Sequence, residues 1–138
     1  MDTGKSALGG IDGNIAAAIG YPIGIIAIIC LIMDKENKFV RFHALQSILL
    51  HVSFIVIWIG LVILFVIVGM VFGVAASAAG SSAAGGIAGI FGLLSFLIWI
   101  VFIVGYVGGL IMAAVKSYQG NMFKLPIIGN MAAKWTGN

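Results

Sequence analysis

The sequence predicts an all-α integral membrane protein with three transmembrane helices and an interfacial carboxyl-terminal tail. Three observations carry that prediction. No Asp, Glu, Lys or Arg occurs from Phe42 to Val115, a run that a soluble domain has no way to use. The 138 residues are 62% hydrophobic and 8% charged, whereas ordinary globular chains carry roughly a quarter charged residues. Mean hydropathy is +1.24. At 14.4 kDa there is room for one small helical bundle and none for a separate catalytic domain.

Residues 1–14 form a polar, Gly-rich segment without the charged-then-apolar order of a cleavable signal peptide, so the first apolar segment is expected to stay as an anchor. The transmembrane helical domain then covers residues 15–115. Hydrocarbon about 30 Å thick needs about 20 apolar residues as helix, because lipid offers backbone groups no partner but each other. The first span runs from Ile15 to Met33, with a kink expected where Pro22 sits between Gly20 and Gly24. Asp34, Lys35, Glu36, Asn37 and Lys38 read as a short, solvated charged turn. A second helix starts between Phe39 and Ala44 and runs to Phe72, its first turns at headgroup depth and Val52 to Phe72 as the crossing. From Gly73 to Gly89 the chain is almost wholly Gly, Ala and Ser, which reads as a flexible loop with helical ends. A fourth crossing through this stretch is the alternative, since small residues are tolerated where helices pack closely. The third span covers Ile90 to Val115 and is bounded by Lys116. Residues 116–138 are the tail, where Pro126 forbids a continuous helix and Trp135 and the lysines favour the interface.

Three spans put Lys35, Lys38, Arg41, Lys116, Lys124 and Lys134 on one side and leave Lys5 alone on the other. The positive-inside rule then places the charged turn and the tail in the cytoplasm and the amino terminus outside, in a multi-pass protein of the cytoplasmic (inner) membrane. The cations are scattered, with no basic run that could track phosphates, so the lipid bilayer is the expected partner and nucleic acid is not. Cys30 is the sole cysteine, which excludes an intrachain disulfide and reads as a small core residue.

Polar chemistry concentrates on the second helix. His43, Gln46, Ser47 and His51 fall at i, i+3, i+4 and i+8, a stripe descending into the membrane. The two histidines lie roughly 12 Å apart along the axis, too far to share a metal, and neither a metal site nor a cofactor is expected. The stripe has two readings: a proton or solute path, or hydrogen bonds that hold neighbouring helices in register, the second being favoured. Arg41, at the amino-terminal end of this helix where a cation opposes the macrodipole, is expected to bridge to the last carbonyls of the third span near Val115 and to the tail. Among several G-x-x-x-G pairs, Gly105 and Gly109 are the expected helix contact. No paired carboxylates, Cys/His cluster or P-loop pattern suggests an enzyme.

The run from Lys38 to Ser47, with Arg41, Phe42, His43, Ala44, Gln46 and Ser47 as R-F-H-A-x-Q-S, resembles the signature of a widespread family of small bacterial and archaeal membrane proteins of unknown function. The segment from Phe123 to Asn130, including Leu125, Pro126, Gly129 and Asn130, resembles the same family's closing segment. That family is similar to the small multi-span (Tic20-like) component of the chloroplast inner-envelope import machinery, and magnetosome membrane proteins that influence crystal growth belong to the same broad group. The resemblance implies a helical membrane fold with the R-F-H-A-x-Q-S segment opening a span, and among the chloroplast relatives a four-span channel role. The expected function is a non-enzymatic subunit or scaffold of a membrane assembly, as a homo-oligomer or in a larger membrane complex. The alternative is a channel or transporter component with the polar stripe lining a pore.

Overall fold

The computed structural model describes residues 3–137, most of them in helix. Helices α1 (Gly13–Gly20), α2 (Gly24–Met33), α3 (Lys38–Ala79), α4 (Ser81–Tyr118) and α5 (Ile128–Thr136) follow one another. The all-helical membrane class stands, with two long apolar helices, α3 and α4, and a shorter one, α2. Contacts divide the chain into two units. One comprises the chain up to Ser53 and from Tyr106 onward, and the other is Phe54–Gly105.

The second unit is the simpler. Its two helical stretches pair through aromatic rings: Phe54 stacks on Phe102 at 4.9 Å, Phe65 meets both Phe91 and Trp99, and Phe72 stacks on Phe91 at 5.5 Å. Gly69 admits the Phe91 ring, which a Cβ there would meet at 3.4 Å. Most of the large aliphatic side chains point outward, among them Val56, Ile63, Val66 and Val101. Bare apolar surface of this extent is what a lipid-facing hairpin presents.

The expected loop from Gly73 to Gly89 is instead helix on both sides of a single residue, Gly80, whose φ of 89° reverses the chain. Alanine is the strongest helix former, and an unsolvated backbone has no better option than its own hydrogen bonds, so this weakly apolar stretch stays helical. Ser77 confirms the economy by donating its hydroxyl to Gly73 O at 2.9 Å.

In the first unit the segment predicted as one span, Ile15 to Met33, is folded back on itself. The break falls at Tyr21–Ile23, around Pro22, and it separates α1 from α2 rather than kinking one helix. The ends of the two helices show the reversal. Gly13, opening α1, lies against the Asn37 side chain, Gly20 bonds to Ser47, Gly24 faces His51, and Asp34 follows α2 directly. The contacts thus run from Asn37 to Ser47 down α1, and from His51 back toward Val40 and Ala44 up α2. Ten residues of α2 span about 15 Å, half of a bilayer core. Gly20 allows the crossing, since its missing Cβ would sit 3.4 Å from that of Ala27. Ala16, Ala17, Ala27 and Cys30 fill the contact with Val40 and Ala44 of α3, and Cys30 is the small core residue expected.

The fold-back moves Lys5. Asn37 donates its amide nitrogen to Thr3 O at 2.9 Å and to Lys5 O at 3.2 Å, while Asn14 donates to Tyr118 O at 2.8 Å. Lys5 thus lies at the same end of the unit as the charged turn and the end of α4, not opposite them as predicted, and it pairs with Asp12. The charged turn is not simply solvated either. Asp34 is buried and accepts from Ser6 Oγ and Ala7 N, each at 2.6 Å, and Asn37 Oδ1 caps α3 at Val40 N. These contacts carry a prediction: with Cys30→Ala, single cysteines at Ala7→Cys and Gln119→Cys should react with an impermeant thiol reagent from the same face of intact cells. Reaction from opposite faces would restore a single crossing by Ile15 to Met33.

Candidate functional site

The polar stripe of α3 meets the carboxyl-terminal tail and the α1–α2 turn at one buried point. His43, Gln46 and Ser47 are wholly excluded from solvent, as is Tyr21. The tail after α4 runs without helix from Asn121 to Leu125, and His43 and Gln46, one helical turn apart, take up the backbone groups of alternate residues along it. His43 Nε2 lies 3.1 Å from Asn121 O, Gln46 Nε2 donates to Phe123 O at 3.1 Å, and Leu125 N donates to Gln46 Oε1 at 3.1 Å.

The partners fix every proton in this network. A carbonyl only accepts, so the His43 hydrogen is on Nε2, and Nδ1 accepts from the Tyr21 hydroxyl at 2.9 Å. The second Gln46 amide hydrogen then goes to Tyr21 Oη at 2.7 Å. A one-way relay results, from Gln46 to Tyr21 to His43 to Asn121 O, with both amide hydrogens used and a neutral imidazole between two satisfied contacts. Three aromatic rings, Tyr21, Phe39 and Phe42, surround the imidazole within 5.9 Å between centroids. Ser47 completes the junction by donating to Gly20 O at 2.8 Å, one of the carbonyls that the end of α1 leaves without a helical partner. His51 Nδ1 donates to Ser47 O at 2.8 Å, and its ring packs edge-on to Tyr106.

Phe42 is buried against Ala132 and Ala133 of α5, just past the closing motif, so apolar packing joins α3 to the tail as well. Leu125 packs with Tyr21, Leu50 and Ala113. Gly129 is the tightest point: a Cβ there would approach Gln46 Oε1 to 2.7 Å and Lys124 Cα to 2.6 Å. Pro126 supplies the carbonyl that Ile128 N reaches at 2.7 Å, and Asn130 is exposed on the first turn of α5.

Arg41 does not make the predicted bridge. Its Nη1 donates to Lys35 O at 3.1 Å in the turn before α3, and the tie to the tail is made two and five residues later by His43 and Gln46. Gly109 rests against Leu125 at 3.9 Å from a notional Cβ, while a Cβ on Gly105 would meet, beyond its own helix, no atom of the described residues within 4 Å. Tyr21, the centre of the relay, carries a signal that sequence reading passed over: a hydroxyl set between glycine and proline inside an apolar segment needs a buried partner. Asn121 and Phe123 take part only through their backbone, which no residue pattern reveals. Among the described residues no group of three or more His, Cys, Asp or Glu comes together.

Comparison with known proteins extends over almost the whole chain. Residues 9–132 match the model of the magnetosome magnetite crystal formation protein family, a range that includes both motifs and the junction between them. The chain belongs to that family. A UPF0132 membrane protein of Methanocaldococcus jannaschii is 33% identical over 135 residues, covering 96% of each chain. Another UPF0132 membrane protein, of Archaeoglobus fulgidus, is 33% identical over 132 residues, 90% of this chain and 95% of its own. No solved structure matches.

The junction carries a second prediction. Gly129→Ala should pry the tail from Gln46 and expose it to protease, while Gly105→Ala, in open space within the chain, should leave the tail as protected as in the parent. Gln46→Leu removes three buried hydrogen bonds worth about 1 kcal/mol each and should lower thermal stability in detergent together with tail protection.

Proposed function

We propose that this protein is a non-enzymatic subunit of a membrane assembly in the cytoplasmic membrane, with its charged end in the cytoplasm. One observation carries the reading: the polar stripe that would line a pore is used up within the chain, in holding the tail and the α1–α2 turn. A water-filled path needs polar groups that face a cavity, and His43, Gln46 and Ser47 are buried among side chains instead. The hairpin of the second unit leaves long apolar faces open to lipid or to other helices, and the bare backbone at Gly105 would allow another helix close approach. Self-association through such faces is the simplest assembly.

The family's description names crystal formation. Direct contact with a mineral would call for an array of exposed carboxylates, and this chain has no acid after Glu36. Asp12 is paired with Lys5 and Asp34 is buried, so the role we assign is to organise the membrane rather than to touch a solid phase. The family resemblance to the chloroplast import component, read from the sequence motifs, is what speaks for the competing channel reading, and flux separates the two. In reconstituted vesicles the protein should pass neither protons nor potassium above the protein-free rate, and native mass spectrometry in detergent should return a multiple of 14.4 kDa. A pH-gated current that His51→Gln abolishes would establish the channel instead.

A further inference from the structure

The outer face of the docked tail is built unlike its inner face. Helix α5 buries Gly129, Ala132, Ala133 and Thr136 and turns Met131, Lys134 and Trp135 outward, Trp135 being 60% exposed. Just before it, Ile127 stands at φ 65° and ψ −63°, with Ile128 N bonded to Pro126 O at 2.7 Å around it. This is a tight γ-turn of the strained hand, adopted at a β-branched residue whose side chain is 76% exposed. The turn thus sets a large apolar side chain on the outside of the tail. Ile127, Met131, Lys134 and Trp135 fall at helical spacing on one outward face, apolar apart from a single cation.

The depth of this face is set by what lies beneath it and beside it. The buried side of α5 packs on Phe42, with Leu45 and Leu49 adjoining, one to three turns inside the start of α3. Helix α2 lies along the same stretch of α3, and it exposes Ile25 and Ile32 to 70% and 64%, surface that only hydrocarbon covers at no cost. Trp and Lys together favour the boundary between acyl chains and headgroups, the lysine reaching outward along its stem. Charge decides which headgroup. From Asn37 to the end the chain carries five cations and no acid, and Lys124 and Lys134 are exposed on the tail itself. A second copy would meet this face with the same cations, whereas an anionic bilayer complements them.

We propose that the outer face of α5 is a binding surface for anionic phospholipid, with Lys124 and Lys134 at the lipid phosphates and Ile127, Met131 and Trp135 in the acyl boundary. Lipid contact on this side and the hydrogen bonds of Gln46 and His43 on the other then hold the tail together. The test uses the full chain with Trp58→Phe and Trp99→Phe, leaving Trp135 as the one reporter, in vesicles of phosphatidylcholine or of its mixture with phosphatidylglycerol, with brominated acyl chains as quencher. Trp135 emission should be quenched and blue-shifted, more strongly in the anionic vesicles, and Lys124→Gln with Lys134→Gln should abolish the difference between the two lipids. Equal quenching in both vesicles would overturn the anionic preference. Emission at the position of water-exposed tryptophan without quenching would overturn the surface altogether.

Discussion

One side-chain amide holds the polar half of this protein together. Gln46 reaches the tail on both sides, accepting from Leu125 N and donating to Phe123 O, and with its remaining hydrogen it reaches Tyr21 in the turn between α1 and α2. Glutamine suits this place because it offers two donors and an acceptor on one rigid plane, and here all are used. A shorter asparagine would not reach, and a glutamate could not donate. The cost of burying such a group is large unless it is fully bonded, so the surrounding geometry is constrained as tightly as the amide itself. Gly129 is a case in point: it leaves the space beside Gln46 Oε1 that any other residue would fill.

The same demand for bonded backbone explains the two features that differ most from the sequence reading. At Gly73 to Gly89 weak hydropathy suggested a loop, but hydropathy measures side chains, and in lipid the backbone decides. Helix persists to Ala79 and resumes at Ser81 because nothing else satisfies the peptide groups there. At Tyr21 to Ile23 the helix is interrupted, which lipid alone would forbid. The interruption is tolerated because α3 provides for it, Ser47 taking up Gly20 O and the Tyr21 hydroxyl entering the relay. A break in a membrane helix is thus paired with polar residues on its neighbour, and the R-F-H-A-x-Q-S segment is that neighbour.

Composition made the membrane class, the start of α3 and the stripe on its face legible, since each is a local property of spacing and charge. The break at Pro22 was visible too, but not its consequence. A kink and a reversal leave the same residues in the chain, and only the contacts of Gly13 and Asp34 with the segment around Asn37 and Ser6 distinguish them. The cation count could not arbitrate, because six against one is asymmetric already and moving Lys5 only completes the pattern. The charge and five donors of Arg41 point to it as the bridge. The structure uses neutral residues deeper in the helix instead, as low dielectric favours: a neutral amide bonded on all sides carries less desolvation cost than a guanidinium.

The two units are held by different forces, and this sets what each will tolerate. The charged unit depends on directional bonds, several of them bridging residues more than 70 positions apart, as between Gln46 and the tail. Such contacts do not survive an isosteric change that removes a donor or an acceptor. The Phe54–Gly105 unit depends on ring packing and on apolar surface that faces outward. There the lipid is as apolar as the side chains, so exchanging one outward aliphatic residue for another changes little, and the ring contacts are the positions that specify pairing. In a protein divided in this way the polar junction tolerates least, and the outward face of the long hairpin tolerates exchange of one apolar residue for another.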